Sequence, residues 1–444
     1  MTHLFYPTTN LQAIEQLFIE RGEGVYVYDN HGNKYLEGLA GLWCTALGYG
    51  NEELIEAARE QMSRLAYTHL FGGKTHQVAI DLADRLCSML PIDDAKVFFG
   101  TSGSDANDTH VKLLHYYYNA IGRPEKRKII ARESSYHGVT VAAASLTGLP
   151  ASHTYFDLPF DALGVLRTAS PHYYRNALPG ESETEFVDRL AGELEQMILA
   201  EGPETIAAFL AEPITGAAGV VVPPEGYFER IQTILDQHEI LMIGDEVICG
   251  FGRTGNDFGA TTVGMRPDMM TMAKALSSGY FPISASAIRS DMYEAMVPVS
   301  AEVGIFGHGF TYSGHPVGCA VALKTLEIYQ RDKIFDRAAK VGEYFQNRLQ
   351  ELADHPLVGE VRGRGLLAAV ELVADKKTKK AFEGNKIGGL AQLRCQENGL
   401  IVRALPGNSV ALCPPLIITE AQVDELVEKL GHALDAMMAD VDTS

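Results

Sequence analysis

Short unbroken apolar runs and helix-spaced stretches alternate along most of this chain. Residues 128–132, 205–213 and 240–247 are runs of Ile, Leu, Ala, Phe, Met and Val bounded by polar or turn residues. Runs of this kind and length suit strands buried on both faces. Residues 51–62, 75–90, 181–200 and 316–330 carry apolar side chains at helical spacing, with Pro91 closing the second of these. Strands separated by helices predict crossover connections and a largely parallel sheet, which binds ligands at the carboxyl ends of its strands. Residues 95–118 read as a short strand, a Gly/Ser loop and a helix. Residues 25–37 read as a hairpin, two aromatic and β-branched runs around an Asp/Asn/Gly turn. Residues 157–179, rich in Pro, Tyr and Ala without clear period, predict a loop, and 251–255 a mobile glycine loop. Beyond residue 333 the elements shorten. An amphipathic helix at 333–355, a glycine-punctuated strand pair at 358–372 and a solvated basic loop at 375–380 lead into alternating helix and strand at 387–397, 400–403, 410–413 and 420–438.

Composition narrows the class. Hydrophobic residues make up 46% and charged residues 21% of 444, close to an ordinary globular average. A net charge of -20 argues against a nucleic-acid-binding surface. No basic n-region precedes an apolar core at the N-terminus, and no run of about 18 apolar residues predicts a membrane span. The six cysteines are scattered without CxxC pairs, and no histidine spacing suggests a metal cluster. Reduced thiols in a cytoplasm are the expectation.

Candidate chemistry sits at the ends of the apolar runs. Lys274 follows Met269-Met270-Thr271-Met272-Ala273 and precedes a glycine-containing turn; a desolvated lysine loses its proton readily and can form a Schiff base with an aldehyde. Asp245 and Glu212 each end a strand, and Tyr136-His137-Gly138 follows another. The helix start at Ser102-Gly103-Ser104 offers N–H groups and hydroxyls suited to a phosphate. Taken singly, each has an ordinary reading: a snorkelling lysine, capped turns, a packed tyrosine, a capped helix. Together they match one ligand, pyridoxal phosphate, whose aldehyde, ring nitrogen, phosphate and ring face ask for a lysine, a carboxylate, N–H donors and an aromatic.

The chain also resembles the class III (ω-) aminotransferases of the fold-type I pyridoxal-phosphate superfamily, over about residues 25–415. The resemblance is carried by Ser102-Gly103-Ser104-Asp105, Tyr136-His137-Gly138, Glu212-Pro213-Ile214, the block from Asp245 to Gly255, Lys274, and Thr311-Tyr312-Ser313-Gly314-His315-Pro316. It departs from the family at Asp105, where Glu is usual. The resemblance implies an α/β fold: a mainly parallel central sheet flanked by helices in a large cofactor-binding domain (56–325), and a smaller α/β domain built from residues 1–55 and 326–444. It implies Lys274 as the Schiff-base lysine and Asp245 as partner of the ring nitrogen. Tyr136 and Val247 would lie on the two ring faces, with His137 and Glu212 beside the cofactor. Gly103 and Ser104 would hold the phosphate, with Thr311 from the other subunit of a homodimer, or of a tetramer built from such dimers. Leu42, Trp43, Phe71, Tyr136, Ala217 and Ile248 would line the substrate pocket. Ala217 stands where 2-oxoglutarate-using relatives carry a glutamate that neutralises the active-site arginine, matched here by Arg403 at a strand end. The expected activity is ping-pong transfer of an amino group from a primary amine or ω-amino acid to pyruvate. Three alternatives remain: an aminomutase, a 2-oxoglutarate-dependent diamine or 4-aminobutyrate aminotransferase, and a non-catalytic pyridoxal-phosphate-binding protein.

Overall fold

The computed structural model describes residues 3–12, 16–384 and 386–441. Its centre is a seven-stranded sheet in the order Ala95–Gly100, Ser284–Arg289, Met269–Met272, Leu241–Asp245, Ile206–Ala211, Lys128–Arg132, Val165–Thr168. Six of these strands run parallel. Ser284–Arg289 is antiparallel to both of its neighbours. All six residues of Ile206–Ala211 are buried, as an apolar run covered on both faces requires.

Val165–Thr168 corrects the expected loop at 157–179. It forms the sheet's edge, and all four of its side chains are only half-buried. Edge strands need less apolar sequence, so the run Val-Leu-Arg-Thr carries no strong strand signal. The helix Ser290–Val303, interrupted in sequence by Pro298, was likewise not expected.

The N-terminal hairpin, Tyr26–Asp29 with Lys34–Glu37, gains a third strand, Ile19–Glu23. It gains a fourth from far along the chain: Leu400–Ile401 pairs in parallel with Leu36 and Glu37. A further sheet joins Val358–Arg364, Leu367–Asp375, Ser409–Leu412 and Arg403–Leu405, so Arg403 begins a strand rather than ending one. The glycine segment 251–255 is not mobile in character. Phe251, Arg253 and Thr254 are buried, and Arg253 Nη1 donates to the carbonyls of Pro414 (2.5 Å) and Leu366 (3.2 Å). Gly252 is required there because a Cβ would lie 2.4 Å from the Phe335 ring. Among the described residues no helix is long and apolar enough to cross a membrane.

Candidate active site

A cavity of about 310 Å³ opens at the carboxyl ends of the parallel strands. Asp245 ends Leu241–Asp245 and Lys274 follows Met269–Met272, so neighbouring strands deliver the acid and the lysine to one place. Lys274 has φ 46°, a left-handed conformation unusual for a residue with a side chain. Burial pushes its ammonium pKa below the ordinary lysine value, partly opposed by Cys44, Asp245 and Glu212 nearby. A neutral amine is therefore easier to reach here than on a surface.

Asp245 is buried and held by three donors. His137 Nδ1 (2.8 Å) and Asn107 Nδ2 (3.0 Å) reach Oδ2, and the Val247 N–H reaches Oδ1 at 3.2 Å. Asn107 is oriented in turn by its own amide oxygen, which accepts from Thr271 Oγ1 at 2.7 Å. Asn107 and Thr271 were not singled out from sequence. Their signal was a polar residue on the buried face of a helix and another inside an all-buried strand.

The helix Gly103–Ala120 begins with a capping box. Asp105 accepts the N–H groups of both Thr101 and Ser102, and Ser102 Oγ accepts the Asp105 N–H. Among the described residues the Gly103 and Ser104 N–H groups are recorded with no acceptor, and both residues line the cavity. Two open donors at a helix N-terminus fit a phosphate. Gly103 also lies against Val247, since a Cβ on it would stand 3.0 Å from Val247 Cγ2. Tyr136 lines the same cavity, and its backbone N–H donates to Glu212 Oε1 at 3.0 Å. Glu212 Oε2 accepts the Gly216 N–H at 2.7 Å, and burial raises the pKa of this acid. His137 and Glu212 both face the cavity, but their bonded polar atoms serve Asp245 and the Tyr136 backbone.

The residues expected at the substrate divide into two groups. Trp43, Ala217 and Ile248 pack in one buried cluster with Tyr136 against it. The Arg403 guanidinium carbon stands 5.1 Å and Lys274 Nζ 5.8 Å from the Trp43 ring centroid. Burial lowers the Arg403 pKa, and among the described residues its side chain has no hydrogen bond or ion pair. Leu42 and Phe71 are exposed, at 48% and 47%, and of the residues expected at the substrate only Tyr136 and Ile248 line the Lys274 cavity itself. Thr311 is exposed too, with its carbonyl accepting the Tyr67 hydroxyl at 2.8 Å.

Comparison with known proteins agrees with this geometry. The aminotransferase class-III family matches residues 8–434. A gamma aminobutyrate transaminase (isoform 3, chloroplastic) of Solanum lycopersicum is 48% identical over 423 residues, covering 95% of this chain and 81% of that protein. The omega transaminase of Pseudomonas jessenii, solved in complex with PMP, superposes with a TM-score of 0.97 at 50% identity, over 99% of this chain and 97% of that one. A thermostable omega transaminase variant, with a tryptophan, a phenylalanine and an arginine replaced for asymmetric synthesis of enantiopure bulky amines, gives the same TM-score and identity over 99% and 98%. The lysine and acid at adjacent strand ends, the open helix start and these likenesses identify the chain as a member of the class III aminotransferases, enzymes of PLP fold type I that work with pyridoxal phosphate.

Proposed function

We propose that this aminotransferase takes the amino group of a primary amine or ω-amino acid and passes it to pyruvate in two alternating half-reactions. Bound pyridoxal phosphate supplies an electron-withdrawing ring that stabilises negative charge at the substrate carbon. Lys274, with its lowered pKa, would take the proton from that carbon and hand it on to the cofactor's aldehyde-derived carbon, and the opposite half-reaction would run the same transfer in reverse. Asp245 keeps the ring nitrogen protonated, and His137 and Asn107 hold that carboxylate in place. Tyr136 and Val247 bracket the ring, and the Gly103 and Ser104 N–H groups take the phosphate.

The observation that carries the acceptor assignment is Arg403. Its guanidinium lies over Trp43 without a carboxylate partner among the described residues, and Ala217 packs in the same ring cluster where an acid would neutralise it. A free guanidinium pairs bidentately with a small 2-oxo acid and can turn aside for an amine that lacks a carboxylate. The engineered omega transaminase supports the pocket reading. Its replaced tryptophan, phenylalanine and arginine are spaced along the chain as Trp43, Phe71 and Arg403 are, to within one residue.

Exposed Tyr67, Phe71, Ile305 and Tyr312 support a second copy of the chain covering this face and lending Phe71 and Thr311 to its neighbour's site. Likeness to a gamma aminobutyrate transaminase favours 4-aminobutyrate among the donors and fits a 2-oxoglutarate-dependent 4-aminobutyrate aminotransferase about equally well. The test is a donor panel run with pyruvate and with 2-oxoglutarate. Amine-dependent conversion of pyruvate to alanine is expected. Turnover with 2-oxoglutarate alone overturns the acceptor assignment, and isomerisation of an amino compound without any acceptor would make the protein a mutase.

A further inference from the structure

The turn that presents Trp43 is left-handed at three of four successive residues: Ala40 at φ 48°, Gly41 at 68° and Trp43 at 58°. Side-chain-bearing residues keep such conformations only where neighbours over-determine them. Here the restraint comes from Glu37, on the strand just before the turn. Its carboxylate is buried, and Oε1 accepts the Leu39 N–H at 3.1 Å while Oε2 accepts the Tyr49 hydroxyl at 3.2 Å. Tyr49 is anchored on the far side, where its backbone exchanges hydrogen bonds with Gly24 at 2.8 and 3.0 Å. The carboxylate thus ties the start of the Trp43 turn to a fixed tyrosine.

We propose that Glu37, acting with Tyr49, is a positioning residue for amine specificity: it sets the Trp43 turn and so the size of the amine the pocket admits. This rests on the reading above that Trp43 lines the substrate pocket. Among the described residues no cation pairs with Glu37. The titratable groups that face it are the Tyr49 phenol and the Cys413 thiol, with the Cys44 thiol beyond Tyr49, and burial raises the pKa of all three. Burial likewise brings the Glu37 carboxyl up to about 7. Below that pH the neutral acid can donate a hydrogen bond through its own O–H to the Tyr49 oxygen. Above it the carboxylate accepts from Tyr49 and Leu39 together, and charge makes these hydrogen bonds stronger. The turn is therefore tighter, and small amines are more strongly preferred, on the alkaline side.

The test uses the holoenzyme, with isopropylamine and α-methylbenzylamine as small and bulky donors to pyruvate. Trp43 is the sole tryptophan, so intrinsic fluorescence reports the turn directly. In the unaltered enzyme the ratio of kcat/KM for the two amines should change about threefold to tenfold between roughly pH 6 and 8, with a parallel inflection in fluorescence. Glu37→Gln reproduces the neutral acid, its oxygen accepting from Leu39 and its amide donating to Tyr49. It should hold both readouts at their acid-side values across the range. Tyr49→Phe removes one donor to the carboxylate and should move the inflection to higher pH, which keeps the proposal testable should the glutamine variant not fold. An inflection retained by Glu37→Gln, or unmoved by Tyr49→Phe, overturns the proposal. Trp43→Ala separates the two readings. If it leaves amine preference unchanged, the pocket assignment itself fails; if it changes preference while Glu37→Gln does not, only the positioning role fails.

Discussion

Asp245 and Arg403 are held in opposite ways. Asp245 is buried under three donors, one of which is itself fixed by Thr271. Among the described residues the Arg403 guanidinium has a ring beneath it and no hydrogen bond or ion pair, and that ring sits on a strained turn. On the proposed function the acid presents one oxygen in one protonation state whatever substrate arrives, so redundancy would suit it. The arginine would grip one substrate and release the next, and a permanent partner would cost it that freedom. On that proposal, rigid support goes with what all substrates share and loose support with what distinguishes them.

The sharpest way to break this contrast is to remove the lysine both sides serve. Lys274→Ala should lower turnover by about 10⁴-fold or more and abolish the holoenzyme's yellow colour; a coloured, active variant would sink the assignment. Next in size, Arg403→Ala should raise KM for pyruvate roughly 10- to 100-fold, with a smaller effect on amines that lack a carboxylate. Initial rates at varied pyruvate and varied amine check this, and equal losses for both would show that the arginine does not switch. On the redundant side, Asn107→Ala takes away one of three donors and should reduce kcat about tenfold at most. A larger loss would mean that the three donors do not substitute for one another.

The smallest effect concerns pH and stability. Buried Glu37 and Glu246 both have carboxyl pKa values raised to about 7 by desolvation. For an acid whose pKa is higher folded than unfolded, the folded state binds the extra proton. That contribution is whole below the unfolded pKa and disappears as pH rises through about 7. His110, lowered to about 4 by burial, works in the other direction, weakening the fold as pH falls below the ordinary histidine value. Thermal unfolding of the holoenzyme should therefore occur at a lower temperature at about pH 8 than at about pH 6, by a few degrees at most. A flat profile would mean that both acids are already relieved by groups beyond their hydrogen-bond partners.

Much of this was legible in sequence wherever burial was complete. Strands covered on both faces announce themselves as apolar runs, and Lys274 and Asp245 follow from where such runs end. Val165–Thr168 was not legible because an edge strand is half-wet and shows no run. Residues 251–255 misled because glycine is read as freedom, whereas Gly252 allows the close approach of Phe335 over a buried Arg253. The strain at Trp43 was equally hidden. It comes from contacts with Glu37 and, through Tyr49, with the first strand, none of which leaves a periodic trace.

The pairing of Leu400–Ile401 with Leu36 and Glu37 bears on how the molecule is born. Gly38, at the root of the Trp43 turn, donates to the Ile401 carbonyl at 2.9 Å and accepts from the Cys413 N–H at 2.7 Å. A ribosome delivers Lys274, Asp245 and the phosphate-suited helix start well before it delivers those two partners. The turn that carries Trp43 therefore cannot make its last backbone hydrogen bonds until the C-terminal tenth of the polypeptide has been synthesised. Leu400, Val402 and Leu412 of that tenth also complete the core around Met270 and Met272, just ahead of Lys274, so the two ends of the chain close over the cavity together.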